Sequence, residues 1–150
     1  MKKFKLGIVV LLMAAFTGIA NAGGVGYIDY GKVIDNYDYA KQVTKEVDAK
    51  GLEMQQFLVD KEKEYKSLDT PLKKQTYEEK VAQEFKAKET AYVTLKNKRE
   101  QEVFTKIKEA AKAVMVEQKL GAVMDIRGVF VGGVDITDSV IAKLKGGVKK

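Results

Sequence analysis

From Tyr37 onward the apolar residues Ala40, Val43, Val47, Leu52, Met54, Leu58 and Tyr65 recur mostly at steps of three and four. That spacing lays them along one stripe of a helix. It predicts a helix from about Tyr37 to Lys66, interrupted in rhythm by Gly51. A second stripe follows at Tyr77, Val81, Phe85, Tyr92, Leu95, Val103, Ile107, Ala110 and Val114. It predicts a helix from about Gln75 to Lys119 with a coiled-coil-like seam. Such a helix would be roughly 65–70 Å long. From Lys32 to Leu120 the only helix breakers are Gly51 and Pro71.

Ser67-Leu68-Asp69-Thr70-Pro71 is the one turn signal in that stretch. Asp69 and Thr70 suit the cap of the second helix and Pro71 its first turn. The tip of an antiparallel hairpin therefore falls at Pro71 or one turn later. The chain ends read differently. Val25-Gly26-Tyr27-Ile28-Asp29 is strand-like. Ala122–Ile126, a turn at Arg127-Gly128, and Val129–Val131 read as a β-hairpin. Their nearly continuous apolar character predicts strands covered on both faces. Thr137 is expected to cap a last helix over Asp138–Lys145, with Val140, Ile141 and Leu144 on its buried side.

The first 22 residues have another pattern. Lys2, Lys3 and Lys5 precede an apolar run from Leu6 to Ala15, and Ala20-Asn21-Ala22 is a small-x-small site. This is the layout of a secretory signal peptide cleaved after Ala22. The run is shorter than the ~20 residues that span a bilayer. A lipoprotein site would need cysteine, and the chain has none.

Composition narrows the chemistry. There is no His, Cys or Trp. A Ser–His or Cys–His nucleophile cannot be built, nor a zinc site with His or Cys ligands. The carboxylates alternate with lysines on predicted helix surfaces, where solvation is their ordinary role. No catalytic, cofactor-binding or metal-binding residue is assigned, and the protein is not read as an enzyme. The sequence pI near 9.3 raises nucleic-acid binding. However, lysines and acids interleave and no nucleic-acid motif is present, so no nucleic-acid partner is expected.

Residues 41–112 carry 17 Lys/Arg against 14 Asp/Glu. Their apolar stripe is too thin for a closed core. The aromatics Phe57, Tyr65 and Phe104 are candidates to stand off the seam and touch something else, and Lys73 and Lys74 sit near the presumed tip. Residues 24–40 and 113–146 leave only 51 residues for a body. A core of that size supplies about 3–5 kcal/mol, and a small sheet leaves open edges. Association through the body, at Val25, Tyr27, Val123, Val129 and Val131, is the expected remedy. The division is thus a leader at 1–22, a β-body from 23–40 and 113–150, and a helical arm over 41–112. The fold class is α+β.

Gly26-Tyr27-Ile28-Asp29, the following Lys32-Val33-Ile34, the Lys/Glu-rich hairpin and the closing Gly133-Val134-Asp135-Ile136-Thr137-Asp138 together resemble the Skp/OmpH family of periplasmic chaperones. The resemblance covers essentially the whole chain after Ala22. It implies a jellyfish-shaped homotrimer whose helical arms enclose a cavity for unfolded outer-membrane proteins. These are held without ATP before delivery to the outer-membrane assembly machinery. It also implies contact with lipopolysaccharide or the membrane surface, for which no residue here can be named. The first arm helix, about 30 residues against about 45, departs from a matched hairpin. A passive periplasmic coiled-coil spacer or adaptor is the rival reading, and it predicts no binding of unfolded chains.

Overall fold

The computed structural model describes residues 23–146; the expected signal peptide lies outside them. Strand β1 (Val25–Ile28) opens the fold and helix α1 (Tyr30–Asp35) follows at once. The sequence reading did not anticipate α1. Its start is local chemistry, because the Asp29 carboxylate accepts from the Lys32 amide at 2.9 Å and so caps the first turn.

Helices α2 (Asp38–Lys66) and α3 (Pro71–Glu117) form the arm. α2 runs unbroken through Gly51. α3 begins at Pro71 rather than Gln75, which places the tip at Ser67–Thr70. Thr70 is its N-cap and its side chain accepts from the Lys73 amide at 3.3 Å. Pro71 occupies the first turn, where its missing N–H is of no consequence. α3 stops at Glu117, and the chain turns away through Lys119 at φ 55°. The unequal helices are reconciled by what α3 does beyond the arm. Its last turns, with Val103, Ile107, Ala110 and Val114 buried, run into the body and pack on helix α4 (Thr137–Lys145).

Strand β2 (Ala122–Asp125) and strand β3 (Val134–Asp135) flank β1 in the order β2-β1-β3, both parallel to it. The register pairs Val25 with Ala122 and Tyr27 with Met124 on one side, and Tyr27 with Asp135 on the other. The expected hairpin is therefore absent. Arg127-Gly128 belongs to a 3-10 turn over Ile126–Gly128. The Asp125 carboxylate fixes that turn by accepting from the Arg127 amide at 2.9 Å and from its Nε at 2.8 Å. The turn directs the chain past β1, and Val129–Val131 joins no strand. Gly132 and Gly133, at φ 82° and 93°, then bring β3 into register. A Cβ on Gly133 would lie 3.1 Å from the Val25 carbonyl oxygen and from the Tyr27 ring, so glycine is required there on both backbone and packing grounds.

Cover on both faces is not found within one chain. Along β1, Gly26 and Ile28 are buried, whereas Val25 is 41% exposed. The closed face meets α1, α3 and α4 through Ile28, Val33, Ile107, Ile136 and Val140. This core also takes Val43 of α2 and Val103 of α3, so burial continues into the base of the arm.

Thr137 does not cap α4 from outside. It is the first residue of the helix, and the Asp135 carboxylate accepts from its amide at 2.9 Å and from its hydroxyl at 2.6 Å. The Thr137 hydroxyl oxygen accepts from the Asp29 amide at 2.9 Å. The hydroxyl of Thr137, a residue 1% exposed, ties the end of β1 to the start of α4 and keeps the part-buried Asp29 amide satisfied.

Candidate functional site

The arm surface contains the features that packing leaves unused. Its base is locked by a polar clamp. The Tyr39 hydroxyl donates to Glu102 Oε2 at 2.7 Å, and Arg99 donates to Glu102 at 3.0 Å and to Glu46 Oε1 at 3.1 Å. Arg99 Nε lies 3.0 Å from Glu46 Oε2 but points off the hydrogen-bond direction, and it is a buried nitrogen without a hydrogen-bond partner. Hydrogen bonds to Glu46 and then Glu102 raise the guanidinium pKa, while the Tyr39 hydroxyl and then Arg99 hold the Glu102 carboxyl below its ordinary range.

A second clamp sits near the tip. The Tyr77 hydroxyl donates to the Lys61 carbonyl at 3.1 Å and to Glu64 Oε2 at 2.6 Å. Loss of water around the half-buried ring, and then Glu64, push the Tyr77 hydroxyl up to about 12. The Tyr77 hydrogen bond, followed by Lys61, lowers the Glu64 pKa. Both carboxylates have folded-state pKa values below their unfolded values. Their stabilisation is therefore present above the unfolded range and lost as pH falls through the folded one. Arm helicity is expected to weaken as acid is added below the usual glutamate range. Far-UV circular dichroism of the Tyr39→Phe/Tyr77→Phe variant should show a shallower acid limb than the parent. An unchanged acid limb would remove these clamps from the account.

Between and beyond the clamps the cover is incomplete. Leu52 is 63% exposed, Leu72 73%, and Leu58, Val59, Val93 and Phe104 between 45% and 48%. Among the described residues, no third element lies along the distal arm. At the arm base a groove of about 640 Å³ is lined by Tyr30, Ile34, Thr44, Asn97, Gln101 and Phe104, among others. Near the tip, Leu58, Tyr65, Val81 and Phe85 line a second of about 380 Å³. Neither encloses a cluster of groups suited to catalysis or metal ligation, and among the described residues no group of acids is placed to hold a metal ion.

The sequence-derived positions separate here. Phe104 stands half-exposed, 6.5 Å from the Tyr30 ring. Phe57 lies under two lysines, Lys88 Nζ at 5.1 Å and Lys61 Nζ at 5.6 Å. Tyr65 belongs to the seam rather than standing off it, because its ring meets Tyr77 at 6.4 Å across the hairpin. Lys74 Nζ lies 5.3 Å above that ring, while Lys73 is exposed and pairs with Asp69 at 2.9 Å. The stripe reading placed Leu52 in the seam, and it is instead the most exposed large apolar residue of α2. Its five-residue step from Val47, across Gly51, was the available signal. Val59 and Val93 each follow a stripe residue by one position and were missed.

On the body, Val25 and Val131 are exposed, and Tyr27, Val123 and Val129 are half-buried. Val123, in register with buried Gly26, packs against the core and so lies on the closed face, contrary to expectation, whereas Met124, opposite Tyr27, lies on the uncovered face, and Ile126 and Phe130 are exposed beyond it.

No curated protein is found to match the chain. One solved structure with similarity, from Caulobacter crescentus CB15, is described as an OmpH-like outer membrane chaperone. It is 16% identical over 88% of this chain and 90% of its own, with a TM-score of 0.41; at that level it bears on neither fold nor function. The model of a protein family, outer membrane protein (OmpH-like), matches residues 24–144. That span takes in both chain ends and the whole arm, and the chain belongs to the OmpH-like outer membrane protein family.

Proposed function

We propose that the protein is a periplasmic, ATP-independent holdase. It would keep unfolded outer-membrane proteins soluble until they reach the outer-membrane assembly machinery. The observation that carries this reading is the row of exposed apolar side chains on a two-helix arm with no further element among the described residues to cover them. A folded monomer rarely leaves such surface without a use. Membership of the family supports the same reading. The arm, 41–112, would do the holding, and the body, 23–40 and 113–150, would join three copies through Val25 and Tyr27 on its open sheet face and through Val129 and Val131 in the segment beyond β2, with Val123, which packs on the core, supporting the sheet from its closed face. The arm's excess of 17 basic over 14 acidic residues would favour encounter with acidic unfolded chains.

The test dilutes a urea-unfolded outer-membrane barrel protein into buffer containing the protein as processed after Ala22. At one trimer per barrel protein the client should stay soluble, and native mass spectrometry should show three copies of the chain. Aggregation at the uncatalysed rate would favour the spacer reading.

A further inference from the structure

The two broad sides of the arm differ, and we infer that unfolded polypeptide is held on one of them, the side bearing Leu52, Val59, Val93 and Phe104. On the opposite side lysines stand over the aromatic rings. Lys88 and Lys61 cover Phe57, and Lys106 Nζ lies 5.3 Å above Tyr39. A lysine stem laid over a ring buries apolar area while its ammonium stays in water. It also places a positive charge where a captured chain would have to displace it. The groove on that side is edged by the Lys50–Glu53 ion pair at 2.7 Å and by Lys88.

The other side is bare along its middle and base, around Leu52, Val93 and Phe104, while near the tip Lys74 stands over Tyr65. Leu52 and Val59 are seven residues apart and Val93 and Phe104 eleven, so each pair repeats on one face of its helix. Thr44 of α2 and Asn97, Gln101 and Phe104 of α3 line a single groove, which places the two stripes on the same side of the hairpin. Among the described residues, no lysine stands over Phe104 or Tyr30.

The chemistry of this side suits an extended, unfolded backbone. Apolar side chains alternate there with Thr44, Asn97 and Gln101. These carry hydroxyl and amide groups able to donate to and accept from peptide groups without reading sequence. Glu100 is the one acidic side chain in the groove lining, and no lysine or arginine lines it. A folded partner would need a shape-matched pocket, and this shallow groove offers none. The inference rests on the holdase reading and adds which surface does the holding.

The experiment places a photoreactive benzoyl-phenylalanine, one position at a time, at Leu52 or Val93 on the bare side and at Glu53 or Lys88 on the shielded side. Each full-length labelled protein is loaded with a urea-diluted barrel protein and irradiated. Leu52 and Val93 should give at least about five times the client adduct of Glu53 and Lys88. Equal yields, stronger yields from Glu53 and Lys88, or no adduct from any position while the client stays soluble would overturn the sidedness. A protein that neither forms adducts nor keeps the client soluble would overturn the holdase reading itself, and the inference with it.

Discussion

Replacing Ile107 by alanine is expected to lower the stability of the body by about 2–5 kcal/mol, the range for truncating a fully buried aliphatic side chain. Ile107 is 2% exposed and belongs to the cluster that joins α3 to Ile28, Val33, Ile136 and Val140. The loss has two parts, the transfer of the removed methyl and methylene groups and the cavity they leave. Small domains hold only about 5–15 kcal/mol in total, so this single change removes a large share. Urea unfolding followed by circular dichroism should show a lower midpoint with an unchanged slope. Ile107→Val should cost only about 0.5–1.5 kcal/mol. A change below 1 kcal/mol in Ile107→Ala would mean that the arms, and not this cluster, hold the chain ends together.

The second large effect concerns the lifetime of the complex with an unfolded chain. Full burial of a Leu or Val side chain is worth ~1.5–3 kcal/mol. A surface contact that covers part of each would contribute about 1 kcal/mol, so the combined Leu52→Ser, Val59→Ser and Val93→Ser change should cost roughly 3 kcal/mol. At 1.4 kcal/mol per tenfold, the complex should dissociate about 100 times faster. The three residues are exposed in the free protein, so arm helicity should be nearly unchanged. Reversing Lys73 and Lys74 to glutamate should act on the other limb. It should slow capture at low salt, with little effect on lifetime, and the difference should fade as the screening length drops to ~10 Å near 0.1 M. Stopped-flow capture and competition release separate the two limbs. A lifetime untouched by the serine variant would locate retention elsewhere on the molecule.

The long helices were legible because α-helical periodicity is written in consecutive residues. Stripes from Tyr37 and Tyr77, the lack of breakers, and Thr70-Pro71 at the tip are local signals, and α2 and α3 follow from them within a few residues. The absence of His and Cys likewise limited the chemistry before any geometry was known. The topology of the ends was not legible. Ala122–Val131 has the pattern of a hairpin, and a strand's apolar run is the same whether its neighbour is parallel or antiparallel. What decides is the Asp125–Arg127 turn and the site left beside β1 for a strand arriving after the helical excursion. Parallel pairing needs a crossover, and α2 with α3 supplies one for β2.

The sidedness of the arm also needed the tertiary structure. Leu52, Phe57, Val93 and Phe104 look alike as apolar positions in a charged helix. Which of them is roofed by a lysine depends on side chains brought together across the hairpin, as Lys88 is over Phe57 and Lys106 over Tyr39. Thr137 makes the same point in the body. Its sequence neighbours suggest a helix cap, but a strand end 108 residues away donates to its hydroxyl. The sequence by itself determined the long helices of the arm, the turn between them and the absence of His and Cys chemistry, because those depend on neighbours along the chain. Strand direction, the bare side of the arm and the role of each buried polar group were decided only by packing, because they depend on neighbours in space.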